Sequence, residues 1–485
     1  MANDSGKESI VPSTNTRPLC IDLDGTLIRS DMLIEAVFGL LKQNPFYAFF
    51  LPLWLAKGKA HLKQQIAERV DLDVTLLPYN ERLLTYLREE KAAGRRLILA
   101  TASNVHYAEQ VALHLGFFDE VLASDAKTNL SGPRKGDRLV AAFGERGFDY
   151  AANEGVDLPI WAKAGGAILV DTSPPIARQV QAVTPVVQTF SSPRPDVKAY
   201  LKAIRLHQWL KNVLVFVPVL MAHEWGNTTL LLQAAIAFLA FGLCASSVYV
   251  LNDLLDLEAD RQHPTKRRRP FAAGMLSLRQ GLLLIPLLLG AAFALALLLP
   301  PLFLAVLAVY YAATLAYSLR LKSAVLIDVL VLAGLYTLRV IAGGAATGLG
   351  PSFWLLAFSM FLFLSLALVK RYSELLLVQA QEKEVAAGRG YRLVDLETLA
   401  QFGMASGYAA VLVLALYINS TAVGALYRVP EALWLICPLF LYWISRVWLL
   451  ARRNLMHQDP VLFAIEDRRS HWLFVLMAGI VWAAT

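Results

Sequence analysis

Two hydrophobic patterns divide the chain. Up to about residue 195, apolar runs are short and set between polar ones, as in Leu19-Cys20-Ile21 before Asp22 or Leu97-Ile98-Leu99-Ala100 before Thr101. Alternating strands and helices of this kind predict a doubly wound parallel sheet with its working residues at strand carboxyl ends. After Leu206 the runs lengthen to bilayer-crossing size. They predict an all-α membrane bundle of about nine transmembrane helices, at roughly 207–223, 228–250, 281–299, 301–319, 324–344, 353–370, 404–424, 430–449 and 471–485. The expected layout is a disordered leader over 1–16, an α/β domain over 17–195 with a helical insertion at about 31–94, and a membrane domain over 198–485.

Composition agrees with a membrane protein: 56% of residues are hydrophobic and 17% charged, and the mean hydropathy is +0.49. The net charge of +7 comes from basic residues gathered at the ends of apolar runs, which speaks for lipid headgroups and anionic substrates and against nucleic acid. With the amino terminus inside, the second, fourth, sixth and eighth connections are cytoplasmic. They hold most of the basic residues of the membrane half: Arg261, Lys266 to Arg269, Arg279, Arg320, Lys322, Lys370, Arg371, Lys383, Arg389, Arg392, Arg446, Arg452, Arg453, Arg468 and Arg469. The start of the chain has no apolar core of a signal peptide, so the first domain and the active sites are expected at the cytoplasmic face of a bacterial inner membrane, with the carboxyl terminus outside. Cys20, Cys244 and Cys437 are scattered and suggest neither a disulfide frame nor a zinc site.

The segment from Asn252 to Pro270 sets carboxylates beside a basic run. On a helix, Asn252, Asp256 and Asp260 recur at i, i+4 and i+8 on one face, where their oxygens suit Mg²⁺ held against a diphosphate. Asp253 adds a substrate contact, and Lys266 and Arg267 can grip further phosphate oxygens. The alternative is a juxtamembrane helix end that only sets topology. The segment resembles the first aspartate-rich motif of the UbiA superfamily of intramembrane transferases. Ordinary prenyl-transferring members carry two aspartates four residues apart in a second motif; here Asp328 is followed at that spacing by Leu332. The pattern is closer to the branch that transfers phosphoribose to a polyprenyl phosphate, as are Arg205 to Asn212, Lys370-Arg371-Tyr372-Ser373-Glu374, and Asp459-Pro460-Val461 with Asp467. The resemblance implies Mg²⁺, phosphoribosyl pyrophosphate as donor and polyprenyl phosphate as acceptor, with Lys211, Lys322, Asp328 and Arg339 as further substrate contacts. Asp328 and Arg339 have a structural alternative, an Asp–Arg pair locking two helices.

Asp22-Leu23-Asp24-Gly25-Thr26 follows an apolar strand. It resembles motif one of haloacid-dehalogenase-like phosphohydrolases, which implies Asp22 as nucleophile and Asp24 as acid and base. Thr101 and Lys135 match the phosphate-binding hydroxyl and the charge-balancing lysine. The fourth motif departs from the family, with Asn153 in place of an aspartate and Asp157 retained; Asp22, Asp24, Asn153 and Asp157 are the implied Mg²⁺ neighbours. The implied whole is a bifunctional enzyme in which the soluble half removes a phosphate from the lipid made by the membrane half. The alternatives are prenyl transfer to an aromatic or lipophilic acceptor and a regulatory soluble half. The insertion's run from Phe46 to Leu55 is unusually apolar, as for contact with a membrane, with the second domain, or with the insertion's own core.

Overall fold

The structure, a computed structural model, describes residues 17–193, 195–379, 390–420, 423, 426–456 and 459–485. The expected leader over 1–16 and the basic residues Lys383 and Arg389 lie outside them. The chain forms two compact units, one of residues up to Ala203 together with Val250–Leu283, the other of Ile204–Tyr249 and Leu284–Thr485.

The first unit is built on a six-stranded parallel sheet: β1 (Leu19–Ile21), β2 (Leu97–Asn104), β3 (Glu120–Ser124), β4 (Asp149–Ala152), β5 (Gly166–Val170) and β6 (Val186–Phe190), in the order β3-β2-β1-β4-β5-β6. Every residue of β1, β4 and β5 is buried, as a parallel sheet covered on both faces requires. Strand order reverses beside β1, whose neighbours are β2 and β4. That switch point is where an open α/β sheet leaves a crevice for ligand. Between β1 and β2 come α1 (Met32–Gln43), α2 (Phe50–Ala56), α3 (Lys59–Ala67) and α4 (Glu81–Ala92). The chain leaves towards α1 and returns before α4 at one place, where Ile28 bridges Tyr79 and Arg29 N–H donates to the carbonyl of Pro78.

Among the described residues, seven helices are long and apolar enough to cross a membrane: Thr228–Leu255, Leu278–Ala296, Pro301–Leu319, Ile327–Thr347, Phe353–Gln379, Leu393–Ile418 and Pro430–Arg452. The first and last of the nine expected spans form shorter helices. Leu206–Phe216 winds as a 3₁₀ helix before a five-residue α-helix, Val217–Met221, and the last runs over Arg468–Ala484. The polar pair Lys211 and Asn212 is buried within that 3₁₀ turn, a use of side chains that a lipid-facing span would not allow. Small residues bring the bundle close. A Cβ on Gly403 would lie 2.0 Å from the Trp448 ring, and one on Gly407 would lie 2.7 Å from Ile444.

Candidate active sites

In the first unit the ends of β1 and β4 bring the motif residues together. Asp22 follows β1 and accepts from Lys135 Nζ at 2.8 Å. Lys135 also donates to the Tyr150 hydroxyl at 2.9 Å, which donates to Asp157 at 3.0 Å. All four side chains are buried. Burial alone would lower the Lys135 pKa, but Asp22 and Asp157 outweigh it and hold the ammonium charged. Asp24 accepts from the backbone N–H of Met32 at 2.8 Å and from the Ser103 hydroxyl at 2.6 Å. Burial, then Asp31 and Asp22, push its carboxyl up to about 7, which suits a group that must give and take a proton near neutrality. Thr101 ends fully buried, its hydroxyl oxygen accepting from the Ser103 N–H at 3.0 Å.

Asn153, where the family usually has aspartate, lies against the motif-one loop: its amide oxygen accepts from Thr26 at 3.3 Å, and a Cβ on Gly25 would lie 2.3 Å from its amide nitrogen. Gly25, at φ +73°, leaves the room that this contact needs. Among the described residues no group of three or more His, Cys, Asp or Glu is disposed to hold a metal. The donors on offer at the site, the carboxylates of Asp22 and Asp157 and the amide oxygen of Asn153, are all oxygens, a set that fits Mg²⁺ rather than a softer ion. Two contributors escaped the sequence reading. Lys63, from α3, donates to Asn129 at 2.7 Å and to the carbonyl of Ala102, and Ser103 holds Asp24. Nothing local marks Lys63, which arrives from the insertion.

Residues 250–283 belong to the same unit. The expected continuous helical face is kinked. The helix Thr228–Leu255 ends before Asp256, which caps the next helix, Leu257–Gln262, with φ −106° and ψ 18°, although the N–H groups of Asp256 and Asp260 still reach the carbonyls four residues back. The carboxylates that share a partner are Asp253 and Asp260, both accepting from Arg269 Nη1, at 3.1 and 2.6 Å. Burial raises the Asp260 pKa against the pull of that arginine. Asp256 lies 3.4 Å from Lys42 of α1, and Asn252 is half-buried. Arg261 forks onto Glu35 with two bonds of 2.7 Å, and Arg279 reaches Glu154 at 2.6 Å and Asp31 at 3.1 Å. Lys266 and Arg267 stand exposed on a short 3₁₀ turn.

In the second unit three of the quoted motifs meet. Lys211 donates to Asp459 at 2.6 Å and Lys370 to the same carboxylate at 3.2 Å. Burial would raise the Asp459 pKa; Lys370 and Lys211 overcome it and hold the carboxyl far below its usual range. The Tyr336 ring has Lys211 Nζ at 5.7 Å and the Arg339 guanidinium at 5.3 Å. Arg339 is buried and donates to Asn212 at 2.9 Å, to the Leu335 carbonyl at 2.6 Å and to Tyr310 at 2.9 Å. The amide nitrogen of Asn212 is buried with no partner among the described residues. Asp328 does not pair with Arg339. Both residues lie on the helix Ile327–Thr347, and Asp328 instead accepts from Arg371, on Phe353–Gln379, and from Tyr391. Arg371 also donates to Tyr317 at 2.7 Å and to Glu374. The Asp–Arg lock between helices exists, with Arg371 as its cation. Lys322 lies on the short turn Leu321–Ser323.

The UbiA prenyltransferase family profile matches residues 213–481. The chain belongs to the UbiA prenyltransferase family. A haloacid dehalogenase-like hydrolase profile matches residues 19–155, so this UbiA-type enzyme carries a second enzyme domain at its amino-terminal side, as both motif resemblances implied. The uncharacterized protein y4nM of Sinorhizobium fredii is 39% identical over 466 residues, 95% of this chain and 90% of that protein. The nodulation protein NoeC of Azorhizobium caulinodans is 38% identical over 276 residues, 56% of this chain and 88% of that protein. Decaprenyl-phosphate phosphoribosyltransferase of Mycolicibacterium smegmatis is 38% identical over 195 residues, 39% of this chain and 61% of that protein. The UbiA-type chain is thus an integral membrane transferase joined to a hydrolase-type domain.

Proposed function

We propose that the membrane half transfers 5-phosphoribose from phosphoribosyl pyrophosphate to a polyprenyl phosphate, and that the soluble half removes the 5-phosphate from the product. The donor choice is carried by the second motif. Position 332 is leucine, and Asp328 is fully buried with Arg371 and Tyr391 on its oxygens, so this motif offers no carboxylate pair for a second metal-bound diphosphate. The similarity to decaprenyl-phosphate phosphoribosyltransferase supports the same reading.

The second unit also supports a polyanionic ligand. Lys211 and Lys370 share one carboxylate, Asp459, while Arg339 holds the neighbouring Asn212, whose amide nitrogen is a spare donor. Buried surplus positive charge is costly unless an anion offsets it. In the transfer, the bond from ribose C1 to the pyrophosphate oxygen breaks, C1 gains oxocarbenium character, and an oxygen of the acceptor phosphate forms the new bond. No protein nucleophile is needed; catalysis rests on positioning and on charge. Asn252, Asp256 and Asp260 would hold Mg²⁺, which when bound neutralises the departing pyrophosphate. Lys211, Lys266, Arg267, Lys322 and Arg339 are the candidate phosphate contacts, and Asp253 orients Arg269.

In the soluble half Asp22 attacks phosphorus while the ester oxygen leaves with the proton of Asp24. Asp24 then deprotonates the water that cleaves the aspartyl phosphate, and Lys135 balances charge on the transferred group. Asp22, Asp24, Asn153 and Asp157 form the oxygen set proposed to hold Mg²⁺. Tethering keeps the phosphatase at high effective concentration near its lipid substrate. Both sites are proposed to face the cytoplasm of a bacterial inner membrane, in line with the basic residues of the even-numbered connections. The test is incubation of purified protein with labelled phosphoribosyl pyrophosphate and polyprenyl phosphate. The expected products are phosphoribosylated and ribosylated lipid; prenylation of an aromatic acceptor with no ribosylated lipid would overturn the reading.

A further inference from the structure

The phosphatase-type unit exposes an apolar surface that nothing in its chemistry uses. Along the 3₁₀ turn Pro45–Phe49 and α2, the side chains of Phe46, Phe49, Phe50, Leu53 and Leu55 stand exposed, Phe49 at 73%. Behind them Tyr47, Phe50 and Trp54 pack ring against ring at centroid distances of 6.0 to 6.1 Å, so the surface is held in one shape. Five exposed large apolar groups within ten residues are costly in water, and α2 keeps none of its own residues buried. The charges carried by the segment itself are basic: between Ala36 and Ala67 the sequence has no Asp or Glu, Lys57 and Lys59 stand exposed at one end of the patch, and Lys42, also exposed, lies at the other, 3.4 Å from Asp256.

Apolar and aromatic side chains rimmed by lysines, on a helix too short to span, are the composition of an element that lies in the headgroup region of an anionic bilayer. The chain is an integral membrane protein, so a bilayer is always within its reach. We propose that Phe46–Leu55 is an interfacial lipid-binding surface that seats the phosphatase insertion in the membrane, so that its substrate is delivered from the bilayer and not from the aqueous phase. Lys63, on the very next helix, donates to the carbonyl of Ala102, between Thr101 and Ser103, which joins the lipid-contacting surface to the neighbourhood of Asp24 within one small insertion. The idea deepens the phosphatase reading in its kinetic consequence, while the membrane contact itself stands apart from it.

Two measurements on the full-length protein in phosphatidylglycerol–phosphatidylethanolamine vesicles test it. The three native cysteines are buried, so a nitroxide on Phe49→Cys reports one place. Its relaxation should respond to lipid-dissolved oxygen and be shielded from a water-soluble nickel chelate. Free access to the chelate, or shielding from both with label-to-label distances that reveal a second copy, would overturn the proposal. In the second, the variant Phe46→Ser/Phe49→Ser/Leu53→Ser should raise KM for a vesicle-embedded lipid phosphomonoester about tenfold and leave hydrolysis of soluble p-nitrophenyl phosphate unchanged. Equal kinetics of variant and wild type on the embedded substrate would also overturn it. If neither substrate is hydrolysed by the wild type, the phosphatase reading fails and the label alone decides the membrane contact.

Discussion

Asp22 and Asn153 sit near one another because β1 and β4 are neighbours in a sheet, whereas Lys211, Lys370 and Asp459 meet across as many as 248 residues of chain. The soluble unit keeps its reactive carboxylates at strand ends in a crevice, where a single lysine, Lys135, is enough to hold Asp22. The membrane unit binds the arginines buried in its helices into networks: Arg371 with Asp328, Tyr317 and Glu374, and Arg339 with Asn212, Tyr310 and a backbone carbonyl. At the carboxyl ends of β1 and β4 the aspartates gather around one crevice. In the second unit an ionised residue can equally be a lock, and only its partners tell the two apart.

The sharpest way to break that contrast is to remove one carboxylate from each region. Asp256→Ala should lower phosphoribosyl transfer by about three orders of magnitude with the fold intact, since a half-buried carboxylate contributes charge more than packing. Asp22→Asn should cut phosphatase turnover by a similar factor, about a thousandfold, and let the phosphorylated lipid accumulate without slowing its synthesis. Mass spectrometry of the reaction lipids reads both; an unchanged product ratio in Asp22→Asn would leave a regulatory soluble domain as the better account.

Arg371→Leu tests the lock. It leaves Asp328 buried without its cation and should cost about 3–5 kcal/mol of stability in detergent, with part of the loss recovered in Arg371→Leu/Asp328→Asn. A variant as stable as wild type would mean that the pair is not structural. Gly403→Ala is the mildest change. Its methyl group must displace the Trp448 ring, at a cost of about 1–3 kcal/mol, visible as earlier thermal unfolding with both activities kept below the transition.

Much of this was legible in the sequence because it is local. Asp22, Asp24 and Gly25 lie within four residues, and an apolar run declares a span without help from the rest of the chain. What escaped depends on distant partners. Arg371 stood in a motif that had been singled out, yet its role as the counter-ion of Asp328 appears only when two helices pack. Lys63 comes from an insertion with no motif of its own. The kink at Asp256 interrupts a perfectly periodic polar face. The first expected span is a shorter apolar helix, part of it wound as 3₁₀ around the buried Lys211 and Asn212, a detail that hydropathy averages over.

Arg339 also bears on how the chain is made. It lies near the middle of Ile327–Thr347, and a lone arginine there costs about 2.5–3.5 kcal/mol as a helix leaves the translocon. One of its partners, Tyr310, is supplied by the preceding helix, Pro301–Leu319, which is synthesised first and reached through a short connection. The two helices should therefore enter the bilayer as a hairpin rather than one at a time. Biogenesis would then set an order on the sequence: Tyr310→Phe should lower the yield of inserted Ile327–Thr347 in truncated nascent chains, and an insertion efficiency equal to wild type would show that the helix is accepted alone.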